Sequence, residues 1–269
     1  DICDSFSEGI SWLPLSTGAV SISNQSDILT TIVYLVADLD RPFHLISGFR
    51  YESLPERGDQ IKRAYRIDSL PPGYGDIEDL DLEFFSVRNP DRQVLGNRSW
   101  PDSMWAVYTA APGEAEFREL AEDSTRGMPS MLRGYQIPRL FKIKEWVAHT
   151  YYFSARAGKD SGDKIARDFI FNKCDGGSEQ YSVATALLLR AAGIPSRVAS
   201  GYRYEYQDDV RWAEGVMITD LHADTWPEVY LQGTGWVPVP LNPEPEHVRD
   251  ANPPPPPQLE EETRMGERL

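Results

Sequence analysis

Apolar residues recur with two different periods in the two halves of this sequence. Up to about residue 112 they fall in short runs, 19–23, 30–37, 43–51, 62–68, 82–87 and 104–109. These runs are rich in β-branched and aromatic residues and alternate in part with polar ones, as half-buried strands do. Turn-forming clusters separate them, notably PPGYGD at 71–76 and RNPD at 88–91. Several short strands with turns at this spacing predict a small antiparallel β-lobe. The lobe carries no constellation of side chains that suggests site chemistry.

From residue 113 the period lengthens. Residues 113–123 place Phe117, Leu120 and Ala121 on one helical face. Residues 136–150 repeat the pattern with Ile137, Leu140, Ile143 and Val147, widened by Phe141 and Trp146. After a loop, NKCDGG at 172–177, residues 178–192 predict a strongly amphipathic helix with Tyr181, Ala184, Leu187, Leu188 and Ala191 as its buried stripe. Gly193 is placed to stop it as a left-handed residue, and Pro195 follows. Strand-like runs then return at 197–206, 215–221, 226–231 and 236–239. The expected fold class is α+β: an amino-terminal β-lobe over 1–112, a helix-on-antiparallel-sheet domain over 113–246, and a linker over 247–269.

Composition narrows the partners. The chain has 269 residues and a net charge of −15, so nucleic acid and anionic membrane surfaces would repel it. No window approaches the run of about twenty apolar residues that spans a bilayer. The sequence opens on Asp1, which suggests a segment of a longer protein with any membrane spans outside it. Two cysteines, Cys3 and Cys174, exclude a disulfide scaffold and a cysteine-rich zinc site, while one bridge between them stays open. The sequons at Asn24 and Asn97 are short enough to arise by chance. Residues 253–257 are an unbroken proline run, expected to be an extended spacer or, alternatively, a ligand for a proline-reading domain.

The second half also carries a specific resemblance. Phe169-Ile170-Phe171 followed by Gly176, then LLLRAAGIPSRV at 187–198, Gly201-Tyr202, WPEVY at 226–230 and GWVPV at 235–239 are similar to motifs of the transglutaminase-like superfamily. The similarity covers roughly 113–245. It implies a papain-type core, with a helix packed on an antiparallel sheet. The arrangement also resembles the extracytoplasmic part of bacterial membrane proteins that carry such a domain between transmembrane segments. The implied location is the periplasmic or extracellular face of the bacterial cell membrane, with the proline run as a spacer.

In that family a Cys at the amino end of the long helix is the nucleophile, since free N–H groups and the helix dipole lower a thiol pKa there. A His takes its proton and an Asp orients the His. Counting from the matched motifs, these positions hold Ser178, Asp224 and Pro240, with Asn242 in place of a following Thr. Ser178 alone could be natural or an engineered replacement of Cys. The other two changes favour natural loss, because Pro240 has no side-chain hydrogen-bonding group. Loss of a whole triad costs on the order of 10⁶-fold in rate.

What then remains is a cleft with backbone donors at a helix start, suited to a peptide or protein ligand, with no cofactor and no metal. The competing expectation is an enzyme, a hydrolase or acyl transferase in which His222, two residues before Asp224, serves Ser178 as base. Cys174 as a substitute nucleophile and Glu179, His222 and Asp224 as a metal set are weaker alternatives. Arg190, Arg197, Trp226, Glu228 and Trp236 read as scaffold that packs or ion-pairs the helix against the sheet.

Overall fold

The structure, a computed structural model, describes residues 10–12, 28–38, 43, 48–55, 60–69, 95–111, 113–154, 167–173, 175–203, 216–231 and 235–241. The expected strands at 19–23 and 82–87, the cysteines, Asn24, Asn242 and the linker 247–269 lie outside the described residues.

Four strands form the first sheet: β1 (Ile10–Trp12), β2 (Leu29–Leu35), β3 (Gly48–Leu54) and β4 (Arg63–Ser69). Their order is β1-β3-β4-β2, antiparallel throughout. The pleat sorts the residues by face. Leu35, Tyr51, Tyr65 and Ile67 gather on one side as a small core, with Val33 and Phe43 against it. The Tyr65 hydroxyl accepts from Phe43 N at 2.8 Å and donates to its O at 3.0 Å. On the other side, Asp68 takes hydrogen bonds from Thr30 Oγ1 (2.8 Å) and Arg50 (3.1 Å).

Three helices follow: α1 (Asp102–Thr109), α2 (Glu114–Ser124) and α3 (Gln136–Thr150). The last two match the 3.6-residue pattern, with Phe117 and Ala121 of α2 and Ile137, Leu140, Ile143 and Val147 of α3 buried. Helix α1 corrects the expectation of a strand at 104–109. Aromatic and β-branched composition suggested a strand, but so short an apolar run is ambiguous by period. Pro101, whose carbonyl accepts from Met104 N and Trp105 N, and Asp102 in the first turn form a helix start suited to the dipole.

A short parallel pair, β5 (Tyr152–Phe153) and β6 (Asp175–Gly176), leads to the central helix α4 (Ser178–Ala191). A second sheet follows in the order β7-β8-β9: β7 (Ser196–Tyr202), β8 (Ala223–Leu231) and β9 (Gly235–Pro238), all antiparallel. Leu187, Leu188 and Leu189 of α4 join Val229, Leu231, Val237 and Val239 in one core with α2 and α3. Each leucine so buried contributes roughly 1.5–3 kcal/mol of transfer free energy. Helix α4 ends in a two-bond cap: Gly193 N donates to Arg190 O and Ile194 N to Leu189 O. Gly193 sits at φ 76°, a conformation that Cβ-bearing residues adopt at a cost.

The second sheet corrects one further expectation. Residues 216–219 form no strand, and Asp220–His222 make a 3₁₀ turn. Among the described residues no strand pairs with them, and Met217 and Leu221 are exposed. Strand β8 instead begins at Ala223, three residues earlier than the apolar run suggested. Residues 95–111, grouped with the first lobe by sequence, pack on this sheet: Leu95 bridges to Leu231 and Gly96 N donates to Tyr230 O. The two sheets touch through the rings of Phe43 and Tyr202, 4.9 Å apart and edge to face.

Candidate functional site

The site is built where α4 begins. A π-helical turn, Phe169–Lys173, carries Phe169 into a buried cluster with Tyr151 and Tyr181 (ring centroids 4.8 and 5.4 Å away). Gly176 lies so close to Phe169 and Gln180 that an added Cβ would stand 2.7 Å from Gln180 Cβ. Gly177 is the N-cap, and its N–H donates to Gln180 Oε1 at 2.9 Å. That is only the reciprocal half of a capping box, because glycine has no side chain to accept from the third residue. Ser178 is therefore the first helical residue, half-buried, on a helix start with no side-chain cap. Among the described residues, no group hydrogen-bonds the Ser178 hydroxyl.

Two contacts fix this helix start. The Tyr181 hydroxyl donates to Tyr151 O. Burial, with the nearby Asp175 charge adding to it, holds the Tyr181 phenol well above its ordinary pKa. One turn after Ser178, Ser182 Oγ donates to Thr225 O at 2.7 Å. Pro227 O, two residues further along β8, is taken by Val239 N at 2.8 Å. Carbonyls two apart point to the same edge of a strand, so the helix supplies at Thr225 the donor that β9 supplies at Pro227. The start of α4 is thereby tied directly to the start of β8.

Asp224 stands next to that tie, opposite Gly201 of β7. Its Oδ2 accepts from Arg203 Nε at 2.8 Å and its Oδ1 from Thr225 N at 2.8 Å. His222 sits in the turn before the strand. Its carbonyl accepts from Arg203 N at 2.8 Å, and its Nδ1 accepts from Thr219 N at 3.0 Å. Pro240 follows β9. The Val239–Pro227 bond continues the register of Glu228 with Pro238, which sets Pro240 abreast of Trp226. Among the described residues, no three His, Cys, Asp or Glu side chains are placed to hold a metal ion.

The scaffold residues lie at the other end of β8. Glu228, nearly fully buried, accepts from Arg197 Nε at 2.7 Å and from Trp226 Nε1 at 3.2 Å. The Arg197 guanidinium lies 4.4 Å from the centroid of the Trp236 ring. These contacts knit β7, β8 and β9 to one another, and Arg190 joins helix to sheet by donating to Ser196 O at 3.0 Å. Four participants in the site were not singled out from sequence: Ser182, Thr225, Thr219 and Arg203. Ser182 left a faint signal, a polar residue one turn after Ser178 on an apolar helix. The carbonyl it meets is backbone and leaves none.

Residues 118–240 match the family model of the transglutaminase-like superfamily, and the helix and sheet just described lie within them. Residues 118–240 form a transglutaminase-like domain. The uncharacterized protein YebA of Bacillus subtilis (strain 168) is 37% identical over 71 residues, 26% of this chain and 10% of that protein. A protein-glutamine gamma-glutamyltransferase of Pseudomonas aeruginosa is 33% identical over 72 residues, 27% of this chain and 10% of that protein. The chain thus spans about a tenth of the length of the curated relatives it matches. Among solved structures, the periplasmic domain of TgpA from Pseudomonas aeruginosa is similar at TM-score 0.45 and 21% identity, covering 67% of this chain and 56% of that one. The transglutaminase-like domain spans α3, α4 and the second sheet, and contains Ser178, His222, Asp224 and Pro240. Among the described residues, no helix is long and apolar enough to cross a membrane.

Proposed function

We propose that this transglutaminase-like domain is non-catalytic and serves binding or assembly, taking a peptide or protein ligand at the start of α4. The observation that carries the reading is the state of Asp224. It stands beside the tie between α4 and β8, where the motif resemblance expects the histidine base. Its carboxylate is occupied by the Arg203 guanidinium and by Thr225 N–H. With both oxygens engaged, the carboxylate is not free to take the proton of a serine hydroxyl, which has almost no anionic form near neutral pH. Pro240 offers no side-chain group to orient a base.

The competing reading, a hydrolase or acyl transferase using Ser178 with His222, meets an imidazole engaged in its own turn. His222 Nδ1 faces Thr219 N at 3.0 Å, Thr219 Oγ1 at 3.1 Å and Thr219 O at 3.3 Å. A base toward Ser178 would need a nitrogen free of both proton and partner. The proposal includes an extracytoplasmic location on a membrane-anchored protein. That part rests on the motif resemblance.

Restoring the triad tests the reading. Ser178→Cys, Asp224→His and Pro240→Asp together should yield a thiol at position 178 alkylated by iodoacetamide near pH 6 much faster than Cys3 or Cys174, and amine incorporation into a glutamine peptide, where each single change yields neither. Turnover of peptide esters by the unaltered chain, abolished by either Ser178→Ala or His222→Ala, would overturn it.

A further inference from the structure

A second surface lies at the far end of the sheet. Tyr230 is the last residue but one of β8 and Trp236 the second of β9, and their rings gather with three from residues 100–108. Trp100 lies 4.5 Å from Tyr230, 5.2 Å from Tyr108 and 6.0 Å from Trp236, centroid to centroid. Tyr108 lies 4.7 Å from Trp236, and Trp105 lies 5.7 Å from Trp100. All five rings are half-buried. Helix α1 buries none of its residues, and Met104 and Val107 on it are exposed. Among the described residues, the indole N–H groups of Trp100, Trp105 and Trp236 donate to nothing, whereas that of Trp226 is spent on Glu228. Six residues of strand separate Tyr230 from Asp224, about 20 Å, so this surface is distinct from the site above.

Half-exposed rings with unspent N–H donors define a ligand chemistry. The ligand should present flat apolar groups and outward carbonyls while bringing few donors of its own. A polyproline II segment does this. Its backbone has no internal hydrogen bonds, its prolyl residues lack N–H, and it is ordered before it binds. The sequence itself contains an uninterrupted proline run, Pro253 to Pro257, with Pro243 and Pro245 before it. Residues 242–252 join that run to Leu241 and reach about 36 Å when extended. The path back from Leu241 to Trp236 is about 16 Å. A tether of this kind holds the run at roughly millimolar effective concentration, enough for a weak site to be filled. We propose that the Trp100–Trp105–Tyr108–Tyr230–Trp236 platform is a polyproline-binding surface, occupied by the proline run 253–257 of the same chain.

Indole N–H resonances of the ¹⁵N-labelled chain test this. Replacing residues 253–257 with alternating Gly and Ser should move the Trp100, Trp105 and Trp236 indole signals and leave those of Trp146 and Trp226 in place. Adding acetyl-pentaproline amide to the replaced chain should return the three signals toward their original positions, and Met104→Glu should weaken that peptide several-fold. Unmoved signals after the replacement would overturn the proposal. So would a movement that depends on protein concentration, which assigns the run to a second copy, or an equal movement of all seven indoles.

Discussion

Two carboxylates of strand β8, Glu228 and Asp224, each pair with an arginine of the neighbouring strand or its end, and they differ in depth of burial. At the Glu228 end, a buried carboxylate is matched by a guanidinium and an indole, and the neighbouring Val229 is fully enclosed. At the Asp224 end, a carboxylate also meets a guanidinium, but the Asp224 side chain is 18% exposed where that of Glu228 is 6%, and residues 221–223 just before it are half-buried or exposed. Burial makes the first pair part of the fold and leaves the second close to solvent. A carboxylate at a dry position cannot be lost without leaving partners stranded, whereas one at the rim can change with little effect on the sheet. The motif resemblance is close at the buried end and fails at the rim, in keeping with that difference.

The sharpest way to break the contrast is to truncate both carboxylates. Glu228→Ala should lower stability by about 2 kcal/mol, the cost of losing hydrogen bonds to a buried charge, reduced because Arg197 is partly exposed. Asp224→Ala should change it by no more than about 0.5 kcal/mol, as exposed ion pairs do. Urea melts of the two variants give both numbers. Equal losses would mean that the Asp224 end is as structural as the other.

A smaller effect is expected where helix and strand are tied. Ser182→Ala leaves the Thr225 carbonyl without the donor that β9 would otherwise supply, and should cost about 1 kcal/mol. Amide exchange should quicken through the first turn of α4 and stay unchanged at its far end. Uniform quickening would show that the tie supports the whole helix. Gly193→Ala probes that far end. The space around Gly193 is open, so only the left-handed backbone is penalised, by about 1 kcal/mol, and Gly193→Asn should recover part of it.

These contacts also show where sequence reading succeeds. Helices α3 and α4 were legible because Ile137, Leu140, Ile143 and Val147, and Tyr181, Ala184, Leu187 and Leu188, repeat at the helical period and are buried. The cap at Gly193 was legible because few residues other than glycine take that backbone. Helix α1 was misread because Met104-Trp105-Ala106-Val107-Tyr108 is short and has the composition of a strand. Its helix follows from Pro101 and Asp102 at its start and from the sheet beneath Trp105 and Tyr108. Residues 216–221 were misread as a strand because they are largely apolar, yet among the described residues no strand pairs with them. Ser178, Asp224 and Pro240 were assigned to the candidate site by counting from motifs. What surrounds them, the Arg203 pairing and the Ser182 tie, depends on backbone and long-range geometry that no local pattern encodes.

The effect most specific to the start of α4 concerns Tyr181. Its phenol is enclosed and donates to Tyr151 O, and burial raises its pKa above the ordinary value of 10.0. The unfolded chain releases this proton near pH 10 and the folded chain holds it to higher pH. Stability from this group is therefore fully present below about pH 10 and declines as pH rises beyond it, because the folded state binds more protons there. Tyr181→Phe removes both the hydrogen bond and the ionisation. At pH 7 it should cost about 1 kcal/mol, and the alkaline decline in urea midpoint should flatten relative to the unaltered chain. Tyr65 of the first sheet, raised to about 12 by burial, contributes a second alkaline decline, so the flattening is partial in Tyr181→Phe and larger when Tyr65→Phe is added. An undiminished decline in the single variant would show that the Tyr181 hydroxyl reaches solvent, and would place the start of α4 with the exposed end of the comparison.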